Sequence, residues 1–161
     1  MSVSASIDLR IVDISSGEVI LPTKTLTVLA KNGWDLINQY GYAGYLPIND
    51  NDEFNWQGEK MTESSLMEIV QKKEDIGELI GVNIYWQNTD IGGSVLLYPE
   101  KIASQKKIHT PMSFICDGNR KILSDFGHFK ITDVNWYLTK LLPTFNQGDT
   151  RVEYFTYEEH I

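Results

Sequence analysis

From Ala5 to Val12 apolar and polar positions alternate, with Ala5, Ile7, Leu9 and Ile11 on one side and Ser6, Asp8 and Arg10 on the other. That two-residue period predicts a half-buried strand. Ser15-Ser16-Gly17 supplies turn chemistry, after which Glu18 to Leu21 is expected to pair back. The stretch from Thr25 to Tyr45 is ambiguous. Leu26, Leu29 and Ala30 suit a short helix closed by a left-handed cap at Asn32-Gly33, and Trp34, Leu36, Ile37 and Tyr40 suit a second, yet Thr25 to Leu29 fits a strand equally well. Asn49 to Gly58 is polar and reads as a loop.

The second half is clearer. Thr62, with Glu63 and Ser65, opens a helix whose apolar face is Leu66, Ile69 and Val70, with Lys72 and Lys73 near the end that favours positive charge. Ile80, Val82, Ile84 and Trp86 alternate with polar positions and glycine. They predict a hairpin with Val95–Tyr98, turning at Asp90-Ile91-Gly92-Gly93. Asp117-Gly118 predicts another hairpin between Ser113–Cys116 and Arg120–Leu123, and Lys101 to Lys107 reads as a basic, solvated loop. Thr132 is expected to cap a helix that runs to about Leu142 and stops at Pro143, and Arg151–Tyr157 alternates as a last strand. The sum is an α+β fold: an antiparallel or mixed sheet of about five to seven strands with two to four packed helices, in one domain spanning 1–161.

Composition changes this picture little and charge changes it more. The 42% hydrophobic and 22% charged fractions of this 161-residue chain are ordinary for a globular protein. No apolar run approaches a membrane span, and the first residues lack the basic start and apolar core of a signal peptide, so a cytoplasmic location is expected. The net charge of −8 is uneven: residues 50–100 hold eleven of the 22 acids and three of the 14 bases. Such a segment repels phosphates and attracts a basic protein. Its carboxylates and one indole form the candidate partner-binding set: Asp50, Asp52, Glu53, Trp56, Glu59, Glu63, Glu68, Glu74, Asp75 and Glu78. Phe54, Met61 and Met67 lie among them, and an exposed aromatic there would anchor an interface.

Catalytic patterns are weak. His109, His128 and His160 show no paired metal-ligand spacing, and with Cys116 as the lone cysteine no metal or cofactor is expected. Cys116 with His109 or His128 is a conceivable nucleophile pair, but Met112, Phe114 and Cys116 alternate as a buried strand face. Asp125-Phe126-Gly127 matches the kinase metal loop by coincidence, since the catalytic and glycine-rich loops are missing. Asp50 to Met61 fails as a calcium loop, having Asn55 at the sixth position and Met61 at the twelfth.

In size, acidic balance, α+β pattern and the closing segment Thr132-Asp133-Val134-Asn135-Trp136-Tyr137-Leu138, followed by Leu142-Pro143 and a last strand, the chain resembles immunity proteins of bacterial polymorphic-toxin and contact-dependent growth-inhibition systems. The resemblance spans the whole chain loosely and has no diagnostic motif. It implies a cytoplasmic, non-enzymatic protein that neutralises a cognate toxin, often a basic nuclease encoded just upstream, by occluding its active site or binding beside it. The alternatives are a small intracellular enzyme with a Cys/His pocket and a regulatory scaffold subunit.

Overall fold

The computed structural model describes residues 4–117, 121–123 and 130–160. In chain order the elements are β1 (Ser4–Asp13), α1 (Pro22–Lys31), β2 (Trp34–Asp35), β3 (Tyr42–Tyr45), β4 (Gln57–Lys60), α2 (Glu63–Ile76), β5 (Ile80–Trp86), β6 (Gly92–Leu97), α3 (Glu100–Lys106), β7 (Met112–Cys116), β8 (Lys121–Leu123), β9 (Lys130–Thr132), α4 (Val134–Phe145) and β10 (Thr150–His160). The fold is α+β. An eight-stranded antiparallel sheet runs β10-β1-β7-β6-β5-β3-β4, with β2 also paired to β5, and β8 and β9 form a separate ribbon. The strand count slightly exceeds the expected five to seven because β2 and β4 are too short, and β4 too exposed, to show a period.

One face of the sheet carries the main core. Ile7 and Leu9 of β1, Val82 and Ile84 of β5, Val95 and Leu97 of β6, and Phe114 of β7 meet Leu26 and Leu29 of α1, Leu66 and Val70 of α2, and Tyr137, Leu141 and Phe145 of α4. Burying each such side chain contributes about 1.5–3 kcal/mol. That burial holds α1, whose ten residues would be marginal as an isolated helix. Pro22 suits the first helical position, and the Thr23 N–H and Oγ1 both donate to Glu74 Oε1 of α2 at 2.9 Å. Glu74 therefore caps α1 from outside the helix, where Leu21 has no side-chain acceptor.

Several expectations hold. Ile80–Trp86 pairs with Gly92–Leu97, Thr62 accepts from the Ser65 N–H at 3.1 Å, and the chain's last described strand is β10. Others need correction. Thr25–Leu29 is helical, but Trp34 to Tyr40 is not. Trp34 and Leu36 are both buried with Asp35 between them, so the strand period governs, and Trp34 pairs with Trp86. Gln57 and Gly58, expected in the loop, belong to β4. Glu18–Leu21 pairs back only through one bridge, Val12 to Val19.

Gly92 and Gly93 lie in β6 and not in the turn. A Cβ on Gly92 would sit 1.9 Å from the Ile84 carbonyl oxygen, so glycine permits close strand approach here. The reversal is made upstream, where Asn88 takes φ 56° and the Trp86 N–H bonds to the Ile91 carbonyl. Cys116 does not lead into a hairpin with β8: β7 pairs with β1 and β6, and β8 pairs with β9. Gly118 and Arg120, along with Asp125-Phe126-Gly127 and His128, lie outside the described residues.

The Lys101–Lys107 segment is mostly helix α3, tied down by buried Ile102. Asp133, not Thr132, caps α4, accepting from the Trp136 N–H. The helix runs two residues past Pro143, to Phe145, which is completely buried.

Candidate functional site

The other face of the sheet is only partly covered. A small core of Leu46, Leu79, Leu96 and Ile102, with Trp56 and Tyr98 against it, closes one end. Beyond it lies a concavity of about 670 Å³. Ser6 of β1, Ser94 of β6, and Ser113 and Ile115 of β7 form its floor. The β3–β4 loop adds Glu53, Phe54 and Trp56, and Glu158 and His160 stand on β10. Strand alternation explains this face, since Ser6 pairs with Ile115 and Glu158, and Ser94 pairs with Ile115, all turned away from the main core.

The loop that supplies the wall is braced by its own side chains. Asp50 Oδ1 accepts from the Asp52 N–H at 2.8 Å and Asp52 Oδ1 from the Phe54 N–H at 2.9 Å. The Asn55 amide donates to Asp50 Oδ2 and holds that carboxyl below the ordinary aspartate range. Beneath the loop, Lys73 Nζ donates to the carbonyls of Leu46, Pro47 and Asp50, with Glu78 4.0 Å away. Two further ties run to the end of α2: the Asn49 N–H donates to Glu78, and the Leu79 N–H to Asn51. Phe54, 81% exposed, sits on this pinned backbone.

The structure therefore divides the ten candidate residues. Asp50, Asp52, Glu53 and Trp56 share the loop, with Glu53 and Trp56 lining the concavity. Glu63, Glu68 and Asp75 are exposed on α2, in the layer packed on the opposite sheet face. Glu74 and Glu78 serve α1, Lys73 and Asn49 internally. Glu59 on β4 accepts a 2.6 Å hydrogen bond from the Tyr45 hydroxyl. Sequence reasoning did not single out Asp8, Tyr98 or Glu158. Asp8 was legible as a polar position of the β1 alternation, but nothing in the sequence joins it to the loop. Burial, followed by the charges of Glu53 and Asp8, raises the Tyr98 phenol above its ordinary range, so both carboxylates bear on one hydroxyl.

The Tyr45–Glu59 bond gives a direct test. It pushes the Tyr45 pKa up to about 12, from an ordinary 10.0. The phenol's folded pKa exceeds its unfolded one, so this pair's stabilisation is complete below pH 10 and is lost as pH rises towards 12. Spectrophotometric titration of wild type against Tyr45→Phe should show one late-ionising phenol missing from the variant.

Cys116 is 4% exposed in the main core at the end of β7, whereas His109 is exposed before its start, so the structure does not bring this pair together. Among the described residues no group of three or more His, Cys, Asp or Glu side chains could hold a metal ion. No helix among them is long and apolar enough to cross a membrane. No protein-family model matches the chain, and no curated protein or solved structure does so either.

Proposed function

We propose that the protein is a cytoplasmic immunity protein that binds and neutralises a cognate, basic bacterial toxin. A nuclease is the toxin class whose phosphate-binding cleft best complements an acidic surface. The observation that carries this reading is Phe54: a large aromatic, 81% exposed, held on a braced loop among Asp50, Asp52 and Glu53. Interface energy concentrates in a few desolvated aromatic anchors, and a pinned backbone reduces the ordering cost of burying one. Surrounding carboxylates steer a basic partner and set its orientation.

The test is co-expression with the toxic protein encoded by the adjacent gene. Growth should be protected, and a 1:1 complex should appear in size-exclusion chromatography with light scattering. Phe54→Ala should weaken that complex by about 2 kcal/mol, or roughly 30-fold, chiefly through dissociation. Glu53→Lys should slow association and reduce its salt dependence. Neither protection nor a complex would end the immunity reading. Wild-type affinity in Phe54→Ala would move the interface away from this loop.

A further inference from the structure

The immunity reading leaves open which part of the acidic surface meets the partner, and the structure separates two possibilities. Glu63, Glu68 and Asp75 stand on the outside of α2, whereas Glu53 belongs to the concave sheet face on the other side. Building on that reading, we propose that this concavity is the docking groove and that it receives an arginine side chain projecting from the partner, with Asp8 and Glu53 as its acceptors.

Asp8 and Glu53 are half-buried, and neither carboxylate has a hydrogen bond or ion pair among the described residues. They reach this face from different elements: Asp8 of β1 stands opposite Ser113 and on the same side of its strand as Ser6, both of which line the concavity, and Glu53 lines it from the β3–β4 loop. Two basic side chains beside this face already have partners. Arg10 Nε donates to Glu153 at 3.0 Å and its Nη1 to the His109 carbonyl, and His160 lies 3.8 Å from Glu158. An incoming cation thus meets two carboxylates that the protein's own bases do not neutralise.

The surrounding chemistry favours a guanidinium over an ammonium. Trp56, Tyr98 and Phe54 put three aromatic rings in the lining, and a guanidinium is planar, weakly hydrated and able to stack while bonding a carboxylate through two N–H groups. The small hydroxyls of Ser6, Ser94 and Ser113 leave depth for a long side chain. A second copy of this chain fits poorly, because a two-fold contact would bring two copies of this acidic lining, each with Glu53 and Glu158, into one interface. Phosphate-bearing ligands meet the same repulsion.

Hexa-arginine, hexalysine and hexacitrulline, titrated into the whole protein at about 50 mM salt, test the groove. Hexa-arginine should bind about five-fold more tightly than hexalysine, and hexacitrulline should not bind. On the unsubstituted protein, backbone amide shifts should concentrate at Ser6, Ser94, Tyr98 and Ser113. The near-isosteric pair Asp8→Asn with Glu53→Gln should weaken hexa-arginine at least five-fold, and Glu68→Gln with Asp75→Asn on α2 should leave it unchanged.

Shifts running along Glu63–Ile76, or equal affinity for arginine and lysine peptides, would overturn the proposal. The two readings also separate. Groove binding of hexa-arginine without growth protection supports the groove and removes the immunity function. Toxin neutralisation by a protein whose groove amides ignore hexa-arginine overturns the groove alone.

Discussion

Replacing Trp34 by alanine is expected to lower the unfolding free energy by about 3–5 kcal/mol, the range for deleting a large buried aromatic. Trp34 is 0% exposed and sits at the centre of a ring cluster. Its centroid lies 5.2 Å from that of Trp86, 5.6 Å from Phe114 and 6.5 Å from Trp136, all in edge-to-face contact. Lys140 caps the cluster, with Nζ 5.1 Å from the Trp86 ring and 5.9 Å from Trp136. Each well-placed aromatic pair adds about 0.5–1.5 kcal/mol beyond area burial, so one truncation loses several such terms together. Against a total stability of about 5–15 kcal/mol this is a large fraction, equivalent to a fall of about 10 °C in Tm.

Trp34→Phe should behave differently. The Trp34 Nε1 is buried without a hydrogen-bond acceptor, and an unpaired buried donor costs about 1–3 kcal/mol. Phenylalanine removes that cost while keeping one ring in the cluster, so its net loss should be about 1 kcal/mol. Urea denaturation followed by far-ultraviolet circular dichroism measures both variants. Equal losses in Trp34→Phe and Trp34→Ala would show that the indole N–H makes a contact that stabilises the fold.

Lys73→Met should cost about 3 kcal/mol, because it preserves most of the stem and removes only the donors. The side chain is 1% exposed, and three backbone carbonyls depend on its ammonium. The variant also sheds the cost of a buried charge, which keeps the loss below the sum of three orphaned acceptors. Burial holds the Lys73 pKa below its ordinary 10.5, with Glu78 and Asp50 pulling the other way. Between the folded and unfolded values the unfolded chain binds more protons. The contribution of this group is therefore constant at lower pH and grows as pH rises towards 10.5. The difference between wild type and Lys73→Met, measured by urea melts over that alkaline window, should grow accordingly. Amide exchange within residues 46–56 should accelerate in the variant, because the carbonyls that Lys73 gathers all belong to that loop.

Those two sites show why the sequence was only partly legible. Alternation in β1, β5 and β7 was visible because one face of each is buried against helices, and the Thr62 cap was visible because its chemistry is local. Lys73 read as a charge favoured by the dipole near a helix end. Its burial arises from a loop some 25 positions earlier in the chain, and no local pattern encodes that contact. Trp34 and Leu36 resembled a helical face because closely spaced apolar residues satisfy either period over so short a stretch. In the candidate site, loop residues Glu53 and Trp56 could be chosen from charge and aromatic content. Their sharing a face with Asp8 and Glu158 depends on strand order, which sets β1 between β10 and β7.

Strand order also bears on how the protein is made. β1 precedes every other described element, but its two neighbours are β7 and β10, so its pairing waits for residues 112–116 and 150–160. Until then an apolar strand presents two open hydrogen-bonding edges, a template for association between nascent chains. Contacts between such distant parts of the chain slow folding. Removing residues 150–160 would leave one edge of β1 permanently bare, turning a late step of maturation into a lasting aggregation hazard.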